Sequence, residues 1–147
     1  MSFEDLRYNK DMPTRDDLSY LAGIIDGEGS IGIHNENGKP KGMRLTVGNT
    51  DPRLIIWLKE TFGGSSYPDR HRKANWKESW KWTISTQQAA ALLEQVLPWL
   101  RLKREQAEIG IAFQRLMVRG GAPRTPEVAE ETRAMKEAIT ILNKRGL

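Results

Sequence analysis

The sequence predicts an α+β fold: a helix-hairpin-helix-hairpin-helix core in which both hairpins join one four-stranded antiparallel sheet, followed by a helical C-terminal tail. Two segments each contain two stretches in which apolar and polar residues alternate, as the two strands of a hairpin do. The remaining periodic segments place apolar residues three and four positions apart, as amphipathic helices do. Because a helix separates the two hairpins, they can pair side by side in a single sheet with helices on its apolar face.

The first helix and the first hairpin have clear boundaries. Residues 1–12 show no periodicity, and we expect a loose arm there. Thr14 and Asp17 form the pattern of a capping box, so a helix begins there and runs to about Gly27. Residues 30–48 alternate isoleucine, methionine, leucine and valine with small or polar residues, which predicts a hairpin. Its turn consists of Asn37, Gly38, Lys39 and Pro40.

A second helix and a second hairpin follow. Asp51-Pro52 is an N-cap followed by proline at the first helical position, and Gly63-Gly64 ends this helix. Residues 65–72 and 77–85 then predict two strands joined by a polar loop. We expect one face of the second strand to join the core rather than to stack on bases. The apolar residues of that face are Trp80, Trp82 and Ile84.

The last third of the chain is helical. We predict that Thr86 caps a helix ending at Val96 and that Pro98 breaks it. A further helix spans 103–118, and a linker at 120–123 leads to a final helix over 126–144. We therefore expect a single domain over the whole chain. Its parts are an arm (1–12), a core (14–118) and a C-terminal helix (124–147).

Composition limits the classes of function. The chain has 147 residues, no cysteine, no apolar run that could span a bilayer and no signal-peptide pattern, so we expect a soluble intracellular protein of the cytoplasm or an organelle. Residues 1–29 hold three basic and seven acidic side chains, a net of −4. Residues 63–85 hold five basic and two acidic ones, a net of +3. Such a distribution favours a polyanionic partner, although a solvated mixed-charge surface explains it equally well.

The first helix has two distinct faces. Leu18, Leu21 and Ile25 form a core stripe, while the opposite face is small almost throughout. Glycine inside a helix costs about 1 kcal/mol, so two glycines there indicate close approach of another backbone. The same helix of a second subunit, related by a two-fold axis, provides one; alternatively, the glycines fit this helix against its own domain. The candidate interface residues are Ser19, Ala22, Gly23, Asp26 and Gly27.

Asp26 and Glu28 lie at the predicted C-terminus of this helix, the negative pole of its dipole. Carboxylates there are disfavoured by roughly 0.3–1 kcal/mol each, so a basic side chain or a metal ion should compensate. Two such helix ends together would suit a hard divalent cation such as Mg²⁺. The alternative is a solvent-exposed acidic turn.

Residues 21–29, Leu-Ala-Gly-Ile-Ile-Asp-Gly-Glu-Gly, resemble the signature motif of the LAGLIDADG homing endonucleases. The segment departs from that motif at Ile24, Gly27 and Glu28. The predicted order of elements over 14–118 is also that of the family. The resemblance implies a homodimeric, one-motif enzyme that cleaves long, nearly palindromic double-stranded DNA. It implies Mg²⁺ or Mn²⁺ as the cofactor, with Ca²⁺ substituting without cleavage, and neither a small-molecule cofactor nor a membrane.

The resemblance also implies roles for individual residues. Glu28 would be the metal ligand, with Gly27 beside it, whereas Asp26 would structure the helix end. Lys103 resembles the basic residue near the scissile phosphate; otherwise it is an ordinary first-turn lysine. Asn49 would position the attacking water, and Arg53 would neighbour the pocket.

A two-stranded ribbon fits the major groove of DNA, and the family uses its sheet in that way. Any single polar side chain can contact a base, contact a phosphate or remain solvated. The candidates on the two hairpins are Ser30, His34, Asn35, Asn37, Lys39, Lys41, Arg44, Thr46, Arg70, Arg72, Lys73, Lys81 and Thr83. Two other functions stay open: a nucleic-acid-binding protein that does not cut, such as an intron-splicing maturase or a regulator, and a dimeric scaffold without a nucleic-acid partner.

Overall fold

The computed structural model describes residues 12–69, 77–117 and 125–145, and within them it contains five α-helices and four strands. Their order confirms the predicted fold class. The elements are α1 (Arg15–Glu28), β1 (Gly29–Glu36), β2 (Lys39–Asn49), α2 (Pro52–Phe62), β3 (Ser65–Asp69), β4 (Ser79–Ser85), α3 (Thr86–Val96), α4 (Arg104–Leu116) and α5 (Pro126–Arg145). The predicted arm at 1–12, apart from its last residue, and the predicted linker at 120–123 lie outside the described residues.

Helix α1 begins at the predicted capping box. The Thr14 hydroxyl accepts a hydrogen bond from the Asp17 amide, and the Asp17 carboxylate accepts one from the Thr14 amide, both at 3.0 Å. Leu18, Leu21 and Ile25 are buried, as the helical spacing predicted. The helix runs one residue further than expected, which makes Glu28 its last residue.

The four strands form one antiparallel sheet in the order β1-β2-β4-β3. The first hairpin turns through Asn37 and Gly38, whose φ angles of 55° and 76° are those of the tight turn that matches strand twist. Val47 of β2 lies opposite Gly29 of β1 on one side and Trp82 of β4 on the other. This register places β2 and β4 at the centre of the sheet and β1 at its edge.

The core lies between one face of the sheet and the helices. Trp82 is fully buried, and its indole Nε1 donates a 2.7 Å hydrogen bond to the Gly63 carbonyl. Trp80 is half-buried against this core, so all three apolar residues of β4 face it as predicted. The buried sheet residues are Ile31, Ile33, Met43, Leu45, Val47, Trp82 and Ile84.

The start of α3 corrects one prediction. Thr86 is the first residue of the helix, and Ser85 occupies the N-cap position without a side-chain cap bond. Ser85 is still paired with Arg44 in the sheet. The chain therefore turns from strand to helix within one residue, and Thr86 takes a positive φ of 53°, which is unusual for a β-branched residue.

Helix α4 also begins one residue later than predicted, with Lys103 at its N-cap position. Helix α5 confirms the predicted helical tail and packs on α4 and on the edge strand β1. Its Asn143 side chain donates a 2.9 Å hydrogen bond to the Ile31 carbonyl, and its Lys136 ammonium donates one to the Ile33 carbonyl. These bonds use carbonyl groups of the edge strand β1. No helix in the described ranges is long and apolar enough to cross a membrane.

Candidate active site and nucleic-acid interface

The first component of the site is the C-terminal end of α1, where the helix joins β1 without a loop. The Gly29 amide donates to the carbonyls of Ile24 and Ile25. A Cβ at Gly29 would lie 2.8 Å from the Ile25 Cα, so only glycine permits this close approach. The direct junction places Glu28 where the helix ends and the sheet begins, with its side chain exposed.

Asp26 is bound within its own chain. Its Oδ2 accepts a 2.9 Å hydrogen bond from the Arg101 amide, and its Oδ1 accepts bonds of 3.1 and 3.0 Å from the amides of Leu102 and Lys103. Three amide donors satisfy much of the hydrogen-bonding capacity of this carboxylate. The arrangement suits a residue that holds the helix end against the segment before α4. It leaves little of the Asp26 carboxylate for a metal ion or a partner subunit.

Lys103 supplies the positive charge that the acidic helix end requires. Its ammonium donates a 3.0 Å hydrogen bond to the Ile25 carbonyl and another to the Gly29 carbonyl. These carbonyls belong to the negative pole of α1, which a cation stabilises. Burial lowers the pKa of Lys103, and the nearby Asp26 carboxylate opposes that shift. Lys103 is thus not an ordinary exposed lysine of the first helical turn.

Asn49 lies directly beside Glu28. The Asn49 Nδ2 donates a 2.7 Å hydrogen bond to Glu28 Oε2, and its Oδ1 accepts a 2.7 Å bond from the Asp51 amide. The second bond fixes the orientation of the Asn49 amide at the end of β2. The structure therefore brings together two residues that are 21 positions apart in the sequence.

Arg53 pairs with a carboxylate of its own chain. Its guanidinium lies 2.7 Å from Asp51, and it lines a groove with Asp16 and Asp17 that shares Tyr20 and Leu54 with the groove at Glu28. Hydrogen bonds from the side chain and the amide of Arg53 lower the pKa of Asp51 to about 2. The role of Arg53 as a neighbour of the Glu28 pocket stays a prediction.

Glu28 and Asn49 lie at one end of a shallow groove along α1, called here the α1 groove. Its lining residues are Ser19, Tyr20, Gly23, Ile24, Gly27, Glu28, Asn49 and Leu54. Apart from the nearby backbone of α1 itself, a Cβ at Gly23 or Gly27 would meet no atom of the described residues within 4 Å. The packing of α1 within its own chain therefore does not require these glycines. Ser19 is exposed as well.

Ala22 differs from the other predicted interface residues. Its side chain is 1% exposed and belongs to the core of this chain. The helical position of Ala22 is close enough to the core stripe that the fold covers it. A partner subunit therefore cannot contact the Ala22 side chain, and Ala22 is not a candidate interface residue.

The donor set for a metal ion is incomplete within one chain. Across 12–69, 77–117 and 125–145, no group of three or more His, Cys, Asp or Glu side chains could hold one. Glu28 is the exposed carboxylate at the helix end, and Gly27 lies beside it in the α1 groove. Hard divalent cations take six or more oxygen ligands. A cation at Glu28 thus fits only if a second carboxylate, phosphate oxygens or waters complete its coordination.

The sheet face opposite the core, called here the open face, carries polar residues as predicted. Register places Thr46 opposite Ser30 on one side and Thr83 on the other, with the two threonine Oγ atoms 3.4 Å apart. Arg44 is exposed, and the Lys81 ammonium lies 3.9 Å from an Asp69 oxygen. The two-residue alternation of the strands thus placed Ser30, Arg44, Thr46, Lys81 and Thr83 on one surface.

One residue of the open face was not predicted as part of this surface, and one predicted residue, His34, is only partly accessible on it. Tyr67 of β3 pairs with Lys81 and is 44% exposed, which adds an aromatic ring to the open face. The short strand β3 has no hydrophobic alternation that would have revealed its face from sequence. His34 is half-buried, and its Nδ1 has no hydrogen-bond partner among the described residues.

The remaining candidates divide into two groups. The exposed residues at the end of the first hairpin are Asn35, Asn37, Lys39 and Lys41. Arg70, Arg72 and Lys73 lie outside the described residues.

The helix-hairpin-helix order, the four-stranded sheet with a polar open face, and an acidic helix end at one of its margins define a class of fold. Comparison with solved structures gives that class a name: the fold is that of the LAGLIDADG homing endonucleases. No protein-family model matches the sequence, and no curated protein matches it.

Three of the similar structures are complexes with DNA. The homing endonuclease I-CvuI, bound to its target in the presence of Ca, is 21% identical, with 85% of this chain and 80% of that chain aligned and a TM-score of 0.66. The archaeal intron-encoded homing endonuclease I-Vdi141I is 14% identical over 86% of this chain and 84% of that one, with a TM-score of 0.69. The LAGLIDADG meganuclease I-AabMI, bound to uncleaved DNA, is 18% identical over 85% of this chain but only 41% of its own length, with a TM-score of 0.54.

Proposed function

We propose that this protein is a site-specific homing endonuclease that hydrolyses both strands of a long, nearly palindromic DNA target as a homodimer, with Mg²⁺ or Mn²⁺ as its cofactor. The observation that carries the proposal is an exposed Glu28 carboxylate at the end of a helix face where a Cβ added at Gly23 or Gly27 would meet no other part of the described chain. The DNA complexes of proteins with this fold support the choice of ligand.

The open face supports binding of double-stranded DNA. A twisted two-stranded ribbon fits the major groove, which is about 12 Å wide. Arg44 is exposed on this face, and Thr46 and Thr83 add hydroxyl groups that can contact base edges or phosphates. The open face adjoins the end of α1, so DNA bound there would bring its backbone towards Glu28.

The α1 groove supports a two-fold dimer. Gly23 and Gly27 leave the backbone of α1 accessible, so a second α1 can approach closely. Tyr20 in the same groove is 60% exposed, and Leu102, next to the Asp26 contact, is 75% exposed. A second copy would cover these apolar side chains and bring two Glu28 carboxylates together.

The chemistry follows from this pairing. Water attacks a phosphodiester phosphorus, one new P–O bond forms, and one ester P–O bond breaks, which leaves a phosphate end and a hydroxyl end. Asn49, held by Asp51 and Glu28, would orient that water. Lys103 would add positive charge near the phosphate while it holds the helix end. A divalent cation held by both Glu28 carboxylates and phosphate oxygens would stabilise the developing negative charge.

The decisive variant is Glu28→Gln. It preserves the size of the side chain and its ability to bond with Asn49 but removes the negative charge. We expect loss of cleavage with nearly unchanged DNA affinity, measured with Mg²⁺ and DNA that spans the insertion site of the protein's own gene. Glu137→Gln, at an exposed position of α5, is the control and should cleave normally. Cleavage by Glu28→Gln at the control rate would remove Glu28 from the metal site.

One observation favours a second candidate function, a nucleic-acid-binding protein that does not cut, such as an intron-splicing maturase or a regulator. The cations of Arg53 and Lys103 are both bound within the chain. In that case the wild-type protein would bind nucleic acid tightly and leave the DNA intact under the same conditions.

A further inference from the structure

Helix α5 and the tip of the first hairpin enclose a groove that the proposed active site does not use. We call it the basic groove. Its walls include Glu36, Asn37, Lys39 and Lys41 from the hairpin, and Ala129 and Arg133 from α5. The sequence predicts α5 only as a helical tail, and no pattern in it indicates a binding role for Arg133.

The charges in the basic groove are predominantly positive. Lys39 is exposed and forms no ion pair with any side chain in the described ranges. Lys41 and Arg133 have only weak partners: Glu36 lies 4.0 Å from Lys41, and Glu130 pairs with Arg133 at 2.7 Å on the same helix. All four of these paired side chains are more than half exposed. Exposed ion pairs of this kind contribute little to stability, so an incoming anion can replace either glutamate.

The structure holds Arg133 in place beside the hairpin. Lys136, one helical turn further along α5, donates to the Ile33 carbonyl of β1, and Asn143 donates to the Ile31 carbonyl. Thr132 and Ile139, on the inner face of the same helix, are buried. Because Arg133 and Lys136 are three residues apart, they lie on neighbouring positions of one helical surface. The backbone of α5 at Arg133 is thereby held beside the hairpin that carries Lys39 and Lys41.

We infer that the basic groove binds a phosphodiester of the DNA backbone, with Lys39 and Lys41 on one side and Arg133 on the other, and that α5 is therefore part of the DNA-contact surface. This inference rests on the proposed function, since it takes DNA on the open face as given. A phosphate suits the site because three cations and the Asn37 amide line the groove, and none of its described lining residues is an aromatic residue on which a base could stack.

The test compares Arg133→Gln with Arg115→Gln. Both arginines are 69% exposed at the side chain and pair with a glutamate, but Arg115 pairs with Glu94 and does not line the groove. Binding of a labelled, mixed-sequence duplex DNA is measured by fluorescence anisotropy over a range of salt concentrations. We expect Arg133→Gln to weaken binding about fivefold and to lower the slope of log affinity against log salt by about 1, as loss of one phosphate contact does. Arg133→Lys should retain the slope.

The other outcomes are distinct. If Arg133→Gln and Arg115→Gln bind like the wild type with the same slope, the basic groove does not contact DNA, although the proposed function stands. If the wild type binds no duplex even at low salt, the proposed function itself fails and the groove assignment fails with it. If Arg133→Gln weakens binding of a duplex RNA but not of the DNA, the groove serves RNA and the inference is overturned.

Discussion

The two carboxylates at the end of α1 have opposite environments although only one residue separates them. Asp26 accepts three backbone hydrogen bonds from the segment before α4, whereas among the described residues Glu28 has one partner, the neutral side-chain amide of Asn49. A carboxylate with many amide donors is stable as an anion without a metal ion. The carboxylate left with one donor retains capacity for a cation, so Glu28 is the better candidate ligand.

Lys103 links this helix end to the proposed chemistry. Lys103→Met removes the ammonium and leaves the carbonyls of Ile25 and Gly29 without their charged donor. Because one lost charge-stabilising donor typically costs an active site about 100-fold or more in rate, we expect single-turnover cleavage to slow by at least that factor. Urea unfolding of the same variant measures the accompanying loss of stability.

The conservative variant separates the two roles of Lys103. Lys103→Arg keeps the positive charge and the donors, so it should recover most of the stability lost in Lys103→Met. If cleavage recovers in parallel with stability, Lys103 acts by positioning the helix end. If Lys103→Met leaves the cleavage rate unchanged, a role near the scissile phosphate is excluded.

We expect His34 to make DNA binding sensitive to pH. Burial lowers its pKa below 6.5, and the charges of Arg44 and Lys136 act in the same direction, while Glu36 opposes them. DNA phosphates near the open face would raise the pKa of His34 in the complex relative to the free protein. The complex would then bind the additional proton more readily, so DNA affinity should increase as the pH falls through the pKa of bound His34.

Anisotropy titrations of wild type and His34→Gln across this pH range check the prediction. The glutamine variant should lose the extra gain in affinity at low pH and match the wild type near neutrality. Equal pH dependence of the two proteins would show that His34 does not take up a proton on binding.

Some of these residue-level features were accessible from sequence. The predicted helix placed Asp26 and Glu28 at its end, and the dipole argument required a compensating cation. The identity of that cation was not accessible by the same reasoning, because Lys103 is 74 positions from Gly29 and no local pattern links them. Arg53 differs in this respect, because its observed partner Asp51 is only two residues away.

At the level of elements, a substitution in α1 tests whether two chains form the proposed dimer. Gly23→Leu adds a large side chain at a position where a Cβ meets no atom of the described residues within 4 Å beyond the backbone of α1. The substitution should not disturb the monomer, because leucine favours helix over glycine by about 1 kcal/mol or slightly less. A second α1 cannot approach this surface closely, so we expect sedimentation to show monomers at concentrations where the wild type is dimeric.

Ala91→Leu is the matched control, since Ala91 is an exposed small residue on a different helix, α3. It should leave the sedimentation of the protein unchanged. A dimer that persists in Gly23→Leu would place the subunit contact elsewhere on the molecule.

The helices and strands also show which structural features cannot be predicted from local sequence patterns. Helices α1 and α2 and the first hairpin follow from caps, glycines and alternation, all of which are local. Thr86 was assigned to the cap because threonine often serves as one, but the pairing of Ser85 with Arg44 extends the strand and moves the cap one residue earlier. That pairing is set by the tertiary register of β2 and β4. The packing of α5 on the edge of β1 likewise depends on a contact between distant segments.

At the level of the whole molecule, the proposed metal site and the proposed α1 interface both require a second copy of the chain. In the described parts of one chain, no cluster of acidic or histidine side chains could hold a metal ion alone, and Glu28 is a single exposed carboxylate at the helix end. If a second copy of α1 supplies the missing carboxylate, cleavage requires two chains. The initial rate should then rise with about the second power of protein concentration when most of the protein is monomeric.

Joining two copies of the chain by a flexible linker tests this requirement directly. The linked protein makes the encounter of the two α1 helices intramolecular, so its rate should rise only with the first power of concentration. A linked protein that carries Gly23→Leu in both halves should be inactive despite the linker, since proximity without close helix packing does not bring the two Glu28 carboxylates together. Full activity of that protein would mean that each chain cuts independently.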